Sequence, residues 1–458
     1  MARILIAITG LTGIRNASFE LARRLETAGH EVVVTAPREL AAAYAGLDLQ
    51  FQALPPIDEQ PEPPLPAFRG AFRPMRRLLY RYAHYRSRKA AALAATDPTA
   101  FRKLLDVIRP DLLLCDVELH EYIFVAYGRG QRLALLSQWY SLWDRPGLPY
   151  QLTDLHLGEL QHYDEEITEA TLEENWAEVR KTRRRRALKL AWLSGGTDRR
   201  SVLLRLADRE GFPRRYIRKN FWPGPFTYEG LPVLAMVPWE MELPHDPPDF
   251  LHYVGPMVRA DRPEPDPVST GGLTVTEVVE RAREHNHKLI VSTVTTMPGV
   301  TDDFTARLVT AVAERPDWEL IVGTGNDGPP PAELPDNVHA FSYVPQLRAL
   351  AAADLSINHG GIHTVHEALH FGVPQLVYYA LRSDQPGVAV RVHHHGVGVR
   401  VERGRDDAAG IRLMIDFMLG AAEKKAAAAA MCDHGARYRA VRTVEQLVGR
   451  LLRDEKQN

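Results

Sequence analysis

The sequence predicts an α/β protein made of two Rossmann-like domains, each with a parallel sheet, that face each other across a cleft. Three observations support this prediction. The N-terminal residues alternate strand, glycine turn, amphipathic helix and strand. A segment rich in Pro, Gly and Asp follows at 258–272. The strand–helix alternation then begins again, and 458 residues are too many for one ordinary core.

The N-terminal half begins with a complete βα unit. RILIAI is a short apolar strand, GLTG a turn, ASFELARRLETAG a helix that ends at Gly29, and EVVVTA a second strand. Strands that alternate with helices indicate parallel pairing through right-handed crossovers. Further strands are predicted at PDLLLCD, RLALLSQ and LPVLAMV, and a charged, mostly helical insertion at about 150–225.

The C-terminal half repeats this organisation. We predict strands at KLIVST, WELIVGTG, LSINHGG and PQLVYYA, and helices at DDFTARLVTAVAER, LRALAAAD and HTVHEALHFG. Ligands of such folds bind at the carboxyl ends of the strands, here in the cleft between the domains. The expected division is a first domain, a linker, a second domain and a C-terminal helix that packs back on the first domain: 1–257, 258–272, 273–435 and 436–458.

Composition narrows the class of protein. The chain has a net charge of −2 and 45% hydrophobic residues, as expected of a globular protein. Its two cysteines cannot form a disulfide framework, which favours a reducing, cytoplasmic setting. The apolar run at the N-terminus is too short for a signal peptide, and no apolar run in the sequence is long enough for a membrane span.

Basic residues are concentrated locally. Arg-rich stretches occur at 66–90 and 180–219, and the first contains no acidic residue. Such stretches form either a solvated helical face or a basic, aromatic surface that rests on anionic lipid. No nucleic-acid recognition motif accompanies them, so we expect no nucleic-acid partner.

The segment 359–375, HGGIHTVHEALHFGVPQ, contains a match to the zinc motif H-E-x-x-H. His366 and His370 lie one helical turn apart, but a catalytic zinc needs a third protein ligand. The extended motif requires Gly and His where this chain has Val373 and Leu376, and Pro374 ends the helix early. A zinc peptidase is therefore not expected, and no metal is predicted.

The residues around this motif resemble those of a known family. V-P-Q, H-G-G-x-x-T, E-A-L-x-x-G-V-P, D-Q-P and G-V-G occur here in the order and spacing of the donor-binding region of family 1 glycosyltransferases. This is the UDP-glycosyltransferase superfamily, whose fold is GT-B. The N-terminal G-L-T-G and G-H-E-V-V-V are similar to the family's opening. The resemblance weakens between about 40 and 225, where the family varies with its acceptors.

The motif suits a sugar nucleotide on physical grounds. A glycine turn lets the backbone approach a diphosphate, and the following helix points its positive end at that group. His359, the Thr364 hydroxyl and the backbone near Gly361 can donate to phosphate oxygens. The resemblance further implies donor-binding roles for Glu367 toward the ribose, for Tyr343 and Gln346 beside the nucleobase, and for Asp384 and Gln385 toward the sugar.

One position departs from the family. A histidine or aspartate that acts as catalytic base commonly follows the first glycine turn, and Ile14 stands there instead. Three explanations remain open. The base is one of the residues after the strand PDLLLCD, namely Asp116, Glu118 or His120; the acceptor is already ionised and held by Arg15; or the chain binds nucleotide sugar without transferring it.

The resemblance thus implies an inverting, metal-independent glycosyltransferase. We expect it to move a hexose, with glucose favoured by Asp384-Gln385, from a UDP-sugar or dTDP-sugar to a hydrophobic small-molecule or lipid-like acceptor. The acceptor is expected against the aromatic stretches FVAYG and SQWYSLW of the first domain. The alternative is a non-catalytic nucleotide-sugar-binding partner protein. No cofactor besides the co-substrate is expected, and the protein is expected to be cytoplasmic, with peripheral membrane contact left open.

Overall fold

The computed structural model describes residues 1–10, 12–44, 49–57, 72, 75, 76, 78–80, 97–140, 142, 143, 148, 169–194, 196–219, 226–294, 303–324, 334–380 and 384–453. Most of the Arg-rich stretch 66–90 and much of the predicted insertion lie outside these residues.

The N-terminal half is built on a parallel sheet of seven strands. In chain order its elements are β1 (Arg3–Ala7), α1 (Thr12–Thr27), β2 (Glu31–Ala36), α2 (Ala41–Tyr44), β3 (Gln50–Ala53), α3 (Thr99–Ile108), β4 (Leu112–Asp116), α4 (His120–Gly128), β5 (Leu133–Ser137), α5 (Glu169–Ser194), α6 (Arg199–Arg209), β6 (Ile217–Lys219), β7 (Phe226–Tyr228), β8 (Val233–Ala235) and β9 (Leu251–Tyr253). The sheet order is β3-β2-β1-β4-β5-β8-β9, and β6 and β7 form a separate antiparallel pair.

A second parallel sheet, of six strands, organises the C-terminal half. Its elements are α7 (Val275–His285), β10 (Lys288–Ser292), α8 (Phe304–Ala313), β11 (Trp318–Gly323), β12 (Val338–Phe341), α9 (Gln346–Leu350), β13 (Leu355–Asn358), α10 (Ile362–His370), β14 (Gln375–Tyr379), α11 (Gln385–His394), β15 (Gly398–Glu402), α12 (Ala408–Gly420), α13 (Ala422–Ala440) and α14 (Thr443–Arg453). The order is β12-β11-β10-β13-β14-β15. The predicted fold of two parallel-sheet α/β units is confirmed.

The strands form because short apolar runs are covered by helices on both faces. In β4 all five residues are buried, and the same holds for β5 and β14. Such continuous apolar runs are typical of parallel strands. The edge strand β3 alternates exposed and half-buried residues instead, so it has only a weak strand pattern in the sequence.

The two halves share one apolar core. Trp139 and Tyr140, which follow β5, lie in the same buried cluster as Ile362 and Val365 of α10. The C-terminal helix α14 adds Val444, Leu447 and Val448 to the core behind α1. Packed apolar side chains from both halves therefore lie beneath the cleft that the sequence predicts between them.

A buried ion pair also joins the halves. Arg391 of α11 donates through Nε to the Glu242 carboxylate at 2.6 Å, and both side chains are fully buried. The Arg391 guanidinium lies 4.8 Å from the ring centre of Tyr140, and its Nη1 donates to the Gly387 carbonyl. A buried charge pair of this kind needs several such partners to offset its lost hydration.

In the described part of the chain, no helix is both long enough and apolar enough to cross a membrane.

Candidate functional site

The site lies where the strand order of each sheet reverses. In the first sheet the chain leaves β1 and returns beyond it at β4, and in the second it leaves β10 and returns at β13. At such a point two crossover helices diverge and leave a crevice at the carboxyl ends of the strands. Thr9 lies beyond β1 and Asp116 is the last residue of β4, and Thr293 and His359 lie beyond β10 and β13.

Asp116 lies at the bottom of the crevice in the first sheet. Its carboxylate accepts hydrogen bonds from the Thr9 hydroxyl at 3.2 Å and from the Glu118 backbone N–H at 2.9 Å. It is 3% exposed. Burial raises its pKa to about 6, and the hydrogen bonds from Glu118 and Thr9 oppose that rise. Asp116 therefore shapes the turn that carries Glu118.

Glu118 is the carboxylate that reaches the cleft. It is partly exposed, and its Oε1 accepts a hydrogen bond from the Trp139 indole N–H at 3.1 Å. Burial, and after it the charge of Asp116, raises the pKa of Glu118 to about 7. Asp384, from the opposite half, contributes to the same rise. A carboxyl group whose pKa lies near neutral pH has the property required of a general base.

His120, the third residue suggested by the sequence, lies in a different environment. It is 1% exposed, its Nδ1 shares a hydrogen bond of 2.6 Å with the Tyr228 hydroxyl, and its ring packs on Phe226. The side chain therefore belongs to the aromatic core of the first half. Of the three candidates, only Glu118 combines exposure with a neighbour from the other half.

The H-G-G turn after β13 is fixed by a buried amide network. Asn358 accepts from the Gly360 backbone N–H at 2.9 Å and donates to the Gln375 side chain at 2.9 Å. Gly360 has φ +82°, and a Cβ there would lie 3.1 Å from the Gln385 carbonyl oxygen. A side chain is excluded by both conformation and space. The turn leads the chain directly into the N-terminus of α10.

The N-terminus of α10 has the features of an anion site. Gly361 occupies the N-cap position and supplies no side-chain cap, so the first N–H groups of the helix remain available. His359 stands beside the turn, and burial lowers its pKa to about 4, with the Thr293 carbonyl opposing the shift. At neutral pH its uncharged ring has a single N–H, and its Nδ1 is buried without a hydrogen-bond partner among the described residues. Thr364 lies one turn into the helix and is partly exposed.

The residues expected around a nucleoside are neighbours in the structure. Gln346 donates to Glu367 Oε2 at 2.6 Å, and Tyr343 nearby is 48% exposed. Glu367 is 8% exposed, and burial raises its pKa. Arg262, a linker residue that the sequence did not single out, donates to Glu367 Oε1 at 2.7 Å.

Asp384 and Gln385 begin α11 and are each 7% exposed. The Gln385 side chain accepts from the Ala380 backbone N–H at 3.0 Å, which fixes the start of the helix. The Gln385 carbonyl also borders Gly360, so the start of α11 is adjacent to the H-G-G turn.

Sequence reasoning missed the contacts that the loop after β5 makes with α10. Gln138 Oε1 lies 2.8 Å from His363 Nε2, and the Tyr140 hydroxyl lies 2.9 Å from His366 Nε2. Trp139 between them donates to Glu118. His363 and His366 are three residues apart and so share one face of α10. The stretch SQWYSLW, predicted to contact an acceptor, thus contacts the donor-side helix through two of its side chains.

The histidines of the H-E-x-x-H motif have protein partners instead of a common centre. His366 contacts Tyr140, and His370 Nδ1 lies 3.4 Å from Arg439 Nη1. Burial lowers the pKa of His366 to about 3. Among the described residues no group of three or more His, Cys, Asp or Glu side chains is arranged to hold a metal ion.

Ile14 is buried at 1% exposure and lies beside the cleft in the first turn of α1. The preceding residue, Gly13, is in direct contact with the other half, because a Cβ built on it would overlap the His363 ring. His363 therefore fills space next to the position where the family commonly has its base. Its pKa is lowered to about 4 by burial, so its ring is uncharged at neutral pH.

The contact predicts the effect of a methyl group at Gly13. Alanine normally stabilises a helix relative to glycine by about 1 kcal/mol. Here we expect Gly13→Ala to lower the free energy of unfolding by about 1–3 kcal/mol, the usual cost of overpacking, in urea titrations. Gly420→Ala, where a Cβ meets nothing within 4 Å, is the control and should not destabilise. The double variant Gly13→Ala/His363→Ala should recover the loss; a Gly13→Ala protein as stable as the parent would contradict the contact.

Parts of the chain match known proteins. The family model for the C-terminal domain of erythromycin biosynthesis protein CIII-like proteins matches residues 306–447. The chain is 31% identical over 116 residues to the uncharacterized UDP-glucosyltransferase YdhE of Bacillus subtilis, a match that covers 25% of this chain and 27% of YdhE. It is 40% identical over 67 residues to the zeaxanthin glucosyltransferase of Pantoea ananas, which covers 15% of each protein.

The fold extends the likeness over the whole chain. The crystal structure of the glycosyltransferase VinC in complex with dTDP superposes with a TM-score of 0.58 and 19% identity, covering 98% of both chains. At this identity the superposition shows the GT-B fold. The matched segments of the sequence relatives span about a quarter or less of their lengths. With the H-G-G-x-x-T motif, these matches make the C-terminal half of the chain similar to glycosyltransferases, and the superposition shows that the fold is GT-B.

Proposed function

We propose that the chain is an inverting, metal-independent glycosyltransferase that moves a hexose, glucose in the first instance, from a UDP-sugar to a hydrophobic small-molecule or lipid-like acceptor. The observation that carries this proposal is the N-terminus of α10, where Gly361 supplies no side-chain cap and His359 and Thr364 adjoin the first N–H groups of the helix. Glu118, whose carboxylate accepts a hydrogen bond from the Trp139 indole, is proposed as the general base, and Asp384 as the carboxylate that binds the sugar.

The donor is proposed to bind to the second half. The diphosphate meets the N–H groups at the start of α10, the His359 ring and the Thr364 hydroxyl. These groups offset the charge that develops on the leaving diphosphate, which is the role a metal plays in other transferases. The ribose is proposed to meet Glu367, the nucleobase Tyr343 and Gln346, and the sugar Asp384 and Gln385. The dTDP bound to VinC keeps a dTDP-sugar as the alternative donor.

Transfer then proceeds in one displacement. The acceptor hydroxyl oxygen attacks the anomeric carbon, the bond from that carbon to the β-phosphate oxygen breaks, and UDP leaves with the bonding electrons. The hydroxyl proton passes to Glu118, which the raised pKa suits as a proton acceptor near neutral pH. Attack opposite the leaving group inverts the anomeric configuration. Ile14 is not required in this scheme.

The acceptor is proposed to be hydrophobic. The relative from Pantoea ananas is a zeaxanthin glucosyltransferase, and the loop that carries Glu118 packs against Trp139. These two points favour an extended apolar alcohol or a phenol over a sugar or a nucleotide.

Donor binding is tested directly with UDP-glucose, dTDP-glucose and a panel of apolar alcohols and phenols. We expect multiple-turnover release of UDP that matches, mole for mole, a product heavier by one hexose. His359→Ala should weaken UDP binding by at least about tenfold, as loss of a hydrogen bond to a charged group does. His285→Ala, an exposed histidine on α7, is the matched control. Unchanged UDP affinity in His359→Ala would place the diphosphate elsewhere.

The base assignment predicts a pH profile. Because Glu118 accepts a proton only when ionised, kcat/KM should fall as pH drops below about 7, the pKa of its carboxyl. Glu118→Gln should lower kcat by at least about 10²-fold with UDP affinity unchanged, and should abolish this limb. Asp116→Asn removes a neighbouring negative charge and should move the limb to lower pH. A Glu118→Gln enzyme of normal rate would instead favour an acceptor that is already ionised and held by Arg15.

We also propose peripheral contact with anionic membranes through α5. Trp176 and Val179 are buried toward its start, whereas Leu188 and Trp192 near its end are 63% and 70% exposed. Arg184, Arg185 and Arg186 on the same segment are exposed. A helix end that combines exposed apolar side chains with several cations suits an anionic lipid surface.

Vesicle sedimentation tests this contact. The chain should pellet with vesicles that contain phosphatidylglycerol but not with pure phosphatidylcholine, and binding should be lost at about 0.5 M NaCl because salt screens the attraction. Reversal of Arg184, Arg185 and Arg186 to Glu should abolish binding. The control reverses three exposed basic residues elsewhere, Arg283, Lys425 and Arg437. Equal loss in both triple variants, or no sedimentation at all, would overturn the proposal.

A further inference from the structure

The linker between the two sheets contributes a charged side chain to the candidate donor site. Arg262 lies between the last strand of the first sheet and α7, and its side chain is 16% exposed. Through Nη1 it donates to Glu367 Oε1 at 2.7 Å, and Nη2 lies 3.5 Å from Glu367 Oε2. The guanidinium therefore binds the carboxylate to which our proposed function assigns the ribose.

A second carboxylate fixes the arginine itself. Glu264 accepts from Arg262 Nε at 3.1 Å and from Nη2 at 2.8 Å. The same carboxylate receives the backbone N–H groups of Leu347 and Arg348, at 3.4 and 3.2 Å, in the first turn of α9. Arg262 is thus held on one side by Glu264 and presents its other side to Glu367. An arginine fork constrained in this way has little rotamer freedom left to lose.

The geometry leaves acceptor capacity on Glu367. A carboxylate offers about four lone-pair positions, two on each oxygen. One short hydrogen bond reaches each oxygen, from Arg262 at Oε1 and from Gln346 at Oε2. A full acceptor position therefore remains on Oε1, and the second position on Oε2 is occupied only by the long 3.5 Å contact of Arg262 Nη2, so these two positions match the two neighbouring hydroxyls of a ribose. A 2′-deoxyribose would satisfy one of these positions only.

Charge explains why the arginine is needed. Glu367 and Glu264 are both nearly buried, with side chains 10% and 4% exposed, and Arg262 is the cation that pairs with both. Burial of two neighbouring carboxylates without it would favour the protonated form of one of them. A protonated Glu367 would lose acceptor capacity and donate where the ribose hydroxyls also donate.

We propose that Arg262 is a positioning residue of the nucleoside subsite, which holds the Glu367 carboxylate ionised and oriented so that it selects a ribonucleoside diphosphate over its 2′-deoxy counterpart. This inference rests on the proposed function of the site. It assigns a residue of the linker to donor recognition, and so connects donor binding to the segment that joins the two halves.

Calorimetric titration of the full chain with UDP and with 2′-deoxy-UDP tests the proposal. We expect Arg262→Ala to weaken UDP binding by at least about tenfold, the loss that one or two hydrogen bonds to a charged group produce. The preference for UDP over 2′-deoxy-UDP should fall toward one in the same variant. Arg262→Lys, which keeps the charge but not the fork, should recover part of the affinity and little of the selectivity.

Arg348→Ala is the matched control. The Arg348 side chain also contacts the linker: it forms an ion pair with Asp266 at 2.8 Å and donates to the Glu264 carbonyl. Its described hydrogen bonds and ion pairs do not include Glu367. It should bind UDP within about twofold of the parent, a difference well below the effect of one hydrogen bond. Thermal unfolding of each variant shows whether the fold is intact, and Arg262→Lys supplies a folded variant should Arg262→Ala be unstable.

Three outcomes would overturn the inference. Unchanged UDP affinity in Arg262→Ala would show that Glu367 needs no positioning, and tighter binding would show that Arg262 competes with the ribose and is displaced. Retained selectivity for UDP in a weakened variant would likewise contradict the orienting role. Failure of the parent chain to bind UDP at all would instead count against the proposed function of the site.

Discussion

The hydrogen bonds between the loop after β5 and helix α10 are the interaction on which the rest of the structure depends. Gln138 and Tyr140 contact two histidines on one face of α10, and Trp139 between them binds Glu118. One short loop therefore fixes both the helix whose N-terminus faces the proposed donor and the carboxylate that is proposed to receive the proton. The apolar cluster that surrounds Tyr140 holds this arrangement in place.

Burial determines the chemistry that these groups can perform. The histidines of α10 are uncharged at neutral pH because they are packed between the halves. They can therefore bridge the halves without bringing an uncompensated charge into the core. The same loss of hydration has the opposite effect on Glu118, whose pKa rises toward neutral. The cleft thus combines a neutral contact surface with a carboxylate that can accept a proton, although Ile14 occupies the family's usual base position.

Much of the fold was predictable because its signals are local. The buried strands β4 and β14 and the amphipathic helix α1 are visible as apolar runs and periodicity, and the H-G-G turn as a short motif. The edge strands β3 and β12 were missed because they are short and lack such a pattern. Helix α9 ends at Leu350, several residues before the predicted end of LRALAAAD.

The site was only partly predictable, since its decisive contacts join residues far apart in the chain. Tyr343, Gln346, His359 and Glu367 follow from the motif, but no local pattern indicates that Gln138 meets His363 or that Gly13 leaves room for its ring. Arg262 could have been noticed only as a single arginine in a Pro-rich linker. The burial of His120 depends on Tyr228, which lies 108 residues away along the chain.

The most direct test is a crystal structure of the full chain with UDP. The account predicts the diphosphate at the N-terminus of α10, within hydrogen-bond distance of His359 and Thr364, with the ribose hydroxyls on Glu367 and the uracil against Tyr343. Ordered UDP at any other place, with the start of α10 free of phosphate, would contradict it.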